Sequence, residues 1–210
     1  MTPTATLPPL LSELTDEQLI GRVAEGDTQA FDAVFERYHN QIYNFIKRQV
    51  ADRESIEDLV QEIFLRVFKS ARNFDVTKKF SSWLYKIALN EIKRYWKRSA
   101  ARQTYSLNDP LGDESGDGER IDNLEDERAS VAELAEGELF SRDLKTLIDR
   151  LPEKQRIVVI LKVYQELTFE EIAEICECPL STVLSRMRYA VTKLRRWLGL
   201  DESGEQGNGL

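Results

Sequence analysis

Apolar residues recur at helical intervals along most of the chain, and no stretch alternates with the period of two that marks a half-buried strand. After Asp27, the positions Phe31, Val34, Phe35, Tyr38, Ile42, Phe45 and Ile46 trace one face of a helix, and Ile56, Leu59, Val60, Ile63, Phe64, Val67 and Phe68 trace another. Thr15 followed three residues later by Gln18 has the form of a capping box, which satisfies two orphan backbone N–H groups reciprocally, so a first helix is expected to start there. The pattern predicts an all-α chain of two small helical domains, of roughly 85 and 65 residues, each able to bury a modest core.

The stretch 167–198 reads as two short amphipathic helices joined by a tight turn, a helix-turn-helix. Thr168 and Glu171 form a second capping box, and Ile172, Ala173 and Ile175 share one side. Pro179 disfavours helical geometry at Cys178, which gives the first helix a steric stop. Ser181 or a neighbour is expected to cap a second helix whose Val183, Met187, Ala190, Val191, Leu194 and Leu198 face a core. The other side carries Thr182, Ser185, Arg186, Arg188, Tyr189, Lys193, Arg195 and Arg196, with no acid between Ser181 and Leu198. Such a helix suits a DNA major groove, where cations meet phosphates and short polar side chains meet base edges. The alternative is a basic surface helix of an ordinary bundle.

A second cationic segment lies upstream. Lys78, Lys79, Lys86, Lys93, Arg94, Lys97, Arg98 and Arg102 stand against one acid, Glu91, and Phe80, Trp83, Tyr85, Tyr95 and Trp96 are interleaved with them. Proteins that hold single strands use flat side chains on which unpaired bases stack, each stack contributing about 1–3 kcal/mol. The spacing of Trp83, Ile87 and Tyr95 fits a plain helical core equally well, and the residues alone leave the two readings open.

Three blocks in order break this tie. They are Ser55-Ile-Glu-Asp-Leu-Val-Gln-Glu-Ile-Phe-Leu-Arg-Val-Phe68, then Phe80-Ser-Ser-Trp-Leu-Tyr-Lys-Ile-Ala-Leu-Asn90 running on through Lys93-Arg-Tyr-Trp-Lys-Arg98, and finally Leu151-Pro-Glu-Lys-Gln-Arg156 ahead of the helix-turn-helix. Together they resemble bacterial RNA polymerase sigma factors of the extracytoplasmic-function (ECF) group in the sigma-70 family, over roughly residues 15–100 and 135–198. The resemblance implies a non-enzymatic, cofactor-free subunit that brings core RNA polymerase to promoter DNA, recognises both promoter elements and helps open the duplex, for a stress or envelope-response gene set.

The resemblance also implies roles for particular residues. Asp58, Gln61, Glu62 and Arg66 would dock on the polymerase. Lys79, Phe80, Trp83, Lys86, Asn90, Lys93 and Arg94 would hold the near promoter element in melted form, with the loop 73–80 offering a pocket for an extruded base. Thr182, Ser185, Arg188 and Tyr189 would approach base edges of the distant duplex element, while Arg186, Lys193 and Arg196 would meet phosphates or fix orientation. An anti-sigma factor covering both DNA-binding faces is a further implied partner. Two positions depart from the family pattern: Glu177 stands where the turn usually holds glycine, and Leu184 where the early recognition helix usually holds a cation. Glutamate tolerates a left-handed turn less well than glycine does.

Between the two cationic blocks the charge reverses. From Asn108 to Glu138 twelve acids stand against Arg120 and Arg128, a net of −10 in a chain whose net charge is −8. The remainder is slightly positive, so the acidic balance does not argue against nucleic acid. Pro110, Gly112, Gly116 and Gly118 mark a flexible linker, with helix expected to resume near Ala129. The linker either threads through the polymerase, its acids imitating nucleic acid, or is a solvated tether. The expected order is a disordered tail over 1–14, a region-two domain over 15–102, the linker over 103–132, a region-four domain over 133–199 and a loose tail over 200–210.

Other chemistries find little support. The segment MTPTATLPPL lacks the basic start and apolar core of a secretory signal, and no run of about 18 apolar residues offers a membrane span, so no membrane insertion and a cytoplasmic location are expected. Cys176 and Cys178, expected as one buried and one exposed thiol, cannot with the single His39 supply the four thiol and imidazole ligands of a structural zinc site. No metal, cofactor or catalytic site is expected, and no phosphate-cradling loop is present. A stand-alone helix-turn-helix regulator would not need the upstream basic aromatic block. A sigma-like interaction adaptor should have lost the cations at 86–98 and 186–196.

Overall fold

A computed structural model describes residues 9–104 and 138–200, and every regular element among them is helical. The expected tail over 1–8, most of the linker, the helix restart near Ala129 and residues 201–210 lie outside the described residues. Two compact units are present, the first containing all the helices up to Thr104.

Local sequence sets the boundaries of the first unit. Helix α1 covers Pro9–Ser12, α2 Asp16–Ala24, α3 Thr28–Lys47, α4 Arg53–Ser70 and α5 Phe80–Thr104, with a single 3-10 turn at Ala71–Asn73. The box at Thr15 forms as expected: the hydroxyl accepts from the Gln18 N–H, and the Gln18 side chain accepts from Thr15 N–H. Asp27 caps α3 through two backbone N–H groups, and Asp52 caps α4 through that of Ser55. Each such cap contributes about 1 kcal/mol. The expected tail over 1–14 is corrected in its second half. Leu11 is buried, and Arg37 donates to the carbonyls of Leu11 and Ser12, which fixes the α1 turn against α3.

The core of this unit joins Leu19, Ile20 and Val23 of α2 to Val34, Ile42, Phe45 and Ile46 of α3, Ile63 and Val67 of α4, and Leu84, Ala88, Leu89 and Ile92 of α5. Burying an aliphatic or aromatic side chain of this size contributes about 1.5–3 kcal/mol relative to leaving it in water. Phe45 and Tyr85 meet edge to face at 5.3 Å. Tyr38 is buried, and its hydroxyl donates to Asp16 Oδ2 at 2.5 Å, while Arg37 binds the other oxygen at 2.8 Å. Burial first, then the Asp16 hydrogen bond, pushes the Tyr38 phenol well above its ordinary range. The expected apolar stripes narrow at one edge. Phe68 is exposed and meets the half-buried Phe31 edge-on at 5.2 Å, and Phe35 is also exposed, because both lie at the outer seam of α3 and α4.

The helices after Thr104 are α6 (Glu138–Asp149), α7 (Glu153–Val163), α8 (Phe169–Cys176) and α9 (Leu180–Leu198), which, apart from the last three residues of α8, fall in the second unit. Ile157 to Leu161 are all buried, so α7 is surrounded by its neighbours and α9 packs on it. Lys162 anchors the α7–α8 connection by donating to the Leu167 carbonyl at 3.1 Å, with its ammonium 5.0 Å from the Phe169 ring centroid. The Thr168 box is complete, Thr168 Oγ1 accepting from Glu171 N–H at 3.2 Å and Glu171 Oε2 from Thr168 N–H at 2.7 Å.

Candidate nucleic-acid and polymerase interfaces

The turn between α8 and α9 takes the form that glycine usually supplies. Glu177 has φ of 54°, in the left-handed region, and the Cys178 N–H donates to the Ala173 carbonyl at 3.2 Å. This closes α8 as a Schellman-type cap with a non-glycine residue at its strained position. Pro179 then begins α9 with its preset φ of −56° and no side-chain cap, so Ser181 does not cap the helix as expected; it already lies within the first turn. At the other end Gly199, at φ 70°, donates to Arg196 O while Leu200 N–H donates to Arg195 O, the paired bonds of a Schellman cap.

Helix α9 buries Val183, Met187, Ala190 and Leu194, while Val191 and Leu198, expected in that core, are half-buried at its margin. Thr182, Ser185, Arg186, Arg188 and Lys193 are half-buried, and Tyr189 and Arg196 are exposed, so all seven residues expected at the distant element keep an outward part. They are not equally unengaged. Ser185 Oγ donates to Thr182 O at 3.0 Å, leaving its lone pairs for a base donor. Arg186 reaches Cys178 Sγ at 3.6 Å, which ties the recognition helix to the turn. The Arg188 guanidinium lies 5.3 Å from the Tyr189 ring centroid, a cation–π arrangement that holds both side chains on the outward face. Leu184 is half-buried and adds no charge. Cys176 and Cys178 are not in a disulfide, and both are half-buried rather than one buried and one exposed.

In the first unit the basic aromatic segment is α5 and the loop before it. The loop is ordered by its own chemistry. Asp75 Oδ1 accepts from Thr77 N–H at 3.0 Å and from Thr77 Oγ1 at 2.7 Å, and the Thr77 hydroxyl is the main reason that the Asp75 carboxyl sits below its usual range. Lys78 N–H returns to Asp75 O at 2.9 Å. Glu17 of α2 accepts the Phe80 N–H at 3.0 Å and so caps α5 from another helix.

Phe80 requires a correction. Expected on the DNA face, it is fully buried, edge-on to Tyr38 at 5.3 Å, and offers no ring face to a base. It supports Trp83 instead: Trp83 packs on Phe74 at 5.0 Å and on Phe80 at 5.9 Å, and remains half-exposed. Lys86 and Asn90 are half-buried, and Lys79, Lys93 and Arg94 are exposed. Lys86, Asn90, Lys93 and Lys97 share one strip of α5 at helical spacing, next to Trp83. Tyr85 is core, and Trp96 is half-buried with its indole N–H donating to Gln49 O at 3.4 Å. Buried aromatic positions and outward cationic positions therefore occur along one helix.

Asp58, Gln61, Glu62 and Arg66 line one wall of an open cleft of about 610 Å³, with α5 as the opposite wall. Periodicity did not show what stands across from them: Glu91, Arg94, Tyr95 and Arg98. Arg94 thus belongs to the cleft as well as to the edge of the Lys86, Asn90 and Lys93 strip. Glu91, an acid three residues before an arginine in a cationic run, was the available signal. Among the described residues no group of three His, Cys, Asp or Glu side chains is placed to hold a metal, and no helix is long and apolar enough to cross a membrane.

Comparison with known proteins agrees with this arrangement. Residues 34–102 match the family Sigma-70 region 2, and residues 141–194 match Sigma-70, region 4. The ECF RNA polymerase sigma-E factor of Haemophilus influenzae is 32% identical over 182 residues, covering 85% of this chain and 92% of that protein. The RNA polymerase sigma-H factor of Pseudomonas aeruginosa is 31% identical over 182 residues, covering 85% and 91%. The sigma factor RpoE of Bartonella quintana, solved with the anti-sigma factor NepR, superposes with a TM-score of 0.62 at 20% identity, covering 82% of this chain and 98% of that one, a likeness of fold. The chain belongs to the sigma-70 family, in its extracytoplasmic-function group, and is a sigma factor of transcription initiation rather than an enzyme.

Proposed function

We propose that this sigma factor divides promoter recognition between its two units. The unit spanning 15–102 docks on core polymerase through Asp58, Gln61, Glu62 and Arg66, and holds the melted near element with Trp83, Lys86, Asn90, Lys93 and Arg94, with Lys79 at the entrance. The unit spanning 133–199 reads the distant element as duplex through Thr182, Ser185, Arg188 and Tyr189, with Arg186, Lys193 and Arg196 on phosphates. The acidic segment 103–132 joins them. The observation that supports this most is the setting of the two cationic helices: on α5 Trp83, packed on Phe80 and on Phe74 of an ordered loop, stands beside Lys86, Asn90 and Lys93, whereas α9 is the second helix of a helix-turn-helix and presents Thr182, Ser185, Arg188 and Tyr189 with no acid along its length. Stacking serves unpaired bases, and base-edge hydrogen bonding serves an intact groove. The protein acts in the cytoplasm, where the polymerase is, at promoters of a stress or envelope-response gene set.

Regulation by an anti-sigma factor is part of this reading. Its support is the fold shared with a sigma factor that was solved with such a partner. The test of the function is reconstitution. Purified chain added to bacterial core polymerase is expected to start transcription from a subset of promoters. Absence of core binding at low salt, where charged contacts are strongest, contradicts the proposal.

A further inference from the structure

Glu91 is the one acid in the cationic run, and it is 2% exposed. Its Oε1 lies 2.5 Å from Arg66 Nε of α4 and also accepts from Arg94 Nη1, three residues further along α5. Arg66 Nε is at the same time 3.0 Å from Glu62 Oε1. That N–H is buried and aimed squarely at neither oxygen, so it lies between two carboxylates in ion-pair contact. One buried carboxylate therefore faces two arginines, which come from two helices and from the two interfaces assigned above.

A carboxylate this far from water is retained only with a counter-ion beside it. Either guanidinium can serve. Arg66 Nε is also in contact with Glu62, whereas the Arg94 side chain is 54% exposed. We propose that Glu91 is a positioning residue that couples the polymerase face to the DNA face. While Arg66 stays on Glu91, Arg94 can leave for a backbone phosphate of the melted strand; without Arg66, Glu91 retains Arg94. A residue of the docking helix thus sets how much charge α5 brings to DNA.

This inference rests on the assignment of α5 to unpaired DNA, and its test separates the two. The full chain is bound to core polymerase at saturating concentration, with occupancy checked, and its affinity for a random-sequence single-stranded oligonucleotide pool is measured across salt concentration. Each phosphate contact on a single strand contributes about 0.7 to the log–log salt slope. R94A is expected to lower the slope by about 0.7, R66A to lower it by a similar amount, and R66A/E91Q to restore it. R66A/E91Q/R94A should stay low. E91M, which removes the acceptor without burying an amide, should rescue R66A as E91Q does, and it covers the case in which the glutamine variant folds poorly.

A merely structural triad makes the opposite forecast, because deleting a second member would compound the first loss. An R66A slope equal to wild type, or an R66A slope that neither Glu91 variant restores, overturns the coupling alone. A wild-type chain that adds no single-strand affinity to core polymerase overturns the assignment of α5 and the coupling with it.

Discussion

The two units arrange their outward cations in different ways. On α9 the division of faces follows directly from amphipathic periodicity: Val183, Met187, Ala190 and Leu194 point inward, and what remains is outward and basic. On α5 the outward side is itself divided. One strip carries Trp83, Lys86, Asn90 and Lys93, another carries Tyr95 and Arg98 along the cleft that the buried Glu91 also lines, and Arg94 lies at their boundary. A helix that only reads duplex needs one face. A helix that holds a strand while its unit sits on polymerase, as proposed for α5, serves two, and the buried Glu91 contacts an arginine of each.

The contrast breaks most visibly if Lys93 and Arg94 are replaced together by alanine. Loss of two charge-assisted hydrogen bonds is expected to slow promoter opening by about a hundredfold while closed-complex recruitment changes far less. Stopped-flow fluorescence of a base analogue in the near element, set beside equilibrium binding to a duplex promoter, measures both steps, and equal losses would erase the distinction between the units.

Arg188→Ala sharpens the other side. Its cation–π partner Tyr189 keeps it outward, and its removal is expected to weaken binding to the distant element by about 1–3 kcal/mol and to relax base preference there. Sequence selection from random DNA with the reconstituted holoenzyme reads this out as a flatter preference at one or two positions.

A smaller effect lies in the turn. Glu177→Gly removes a side chain from the left-handed conformation and is expected to stabilise the chain by about 1 kcal/mol, visible as a rise in the thermal midpoint. A fall would mean that the contacts of the Glu177 side chain outweigh the backbone strain.

The smallest expected change concerns the loop before α5. The Asp75 carboxyl is held below its ordinary range first by the Thr77 hydroxyl and then by the Thr77 N–H. A depressed folded-state value means that the turn's contribution is present above the ordinary carboxylate range and is lost as pH falls through the lowered value. NMR titration of Asp75 should move up toward an unperturbed aspartate in Thr77→Ala, and an unmoved titration would remove the hydroxyl as the cause.

The elements were legible where the signal is local. Thr15 with Gln18, Asp27 and Thr168 with Glu171 each mark a helix start that the structure repeats atom by atom. The helix-turn-helix core followed from spacing, because a period of 3.6 suffices when a helix has one buried side. What the sequence did not show depends on partners distant along the chain. Arg37 fastens residues 11 and 12 from α3, and Glu17 caps α5 from α2. Phe80 looked like a stacking surface because it sits among lysines, yet its place at the start of α5, under Tyr38, makes it core. Ser181 looked like a cap because serine favours that position, but Pro179 starts the helix two residues earlier. The role of Arg94 was legible only as charge. Its tie to Glu91 is local to α5, but the contact of Glu91 with Arg66 depends on α4 lying against α5.

The division of labour is tested most directly by a crossed binding measurement with the holoenzyme, on two probes taken from sequences it selects: a single strand bearing the near element, and a duplex bearing only the distant element. The account predicts that replacing Lys93 and Arg94 weakens the first probe and leaves the second unchanged, and that Arg188→Ala does the reverse. Equal weakening of both probes by either variant would contradict it.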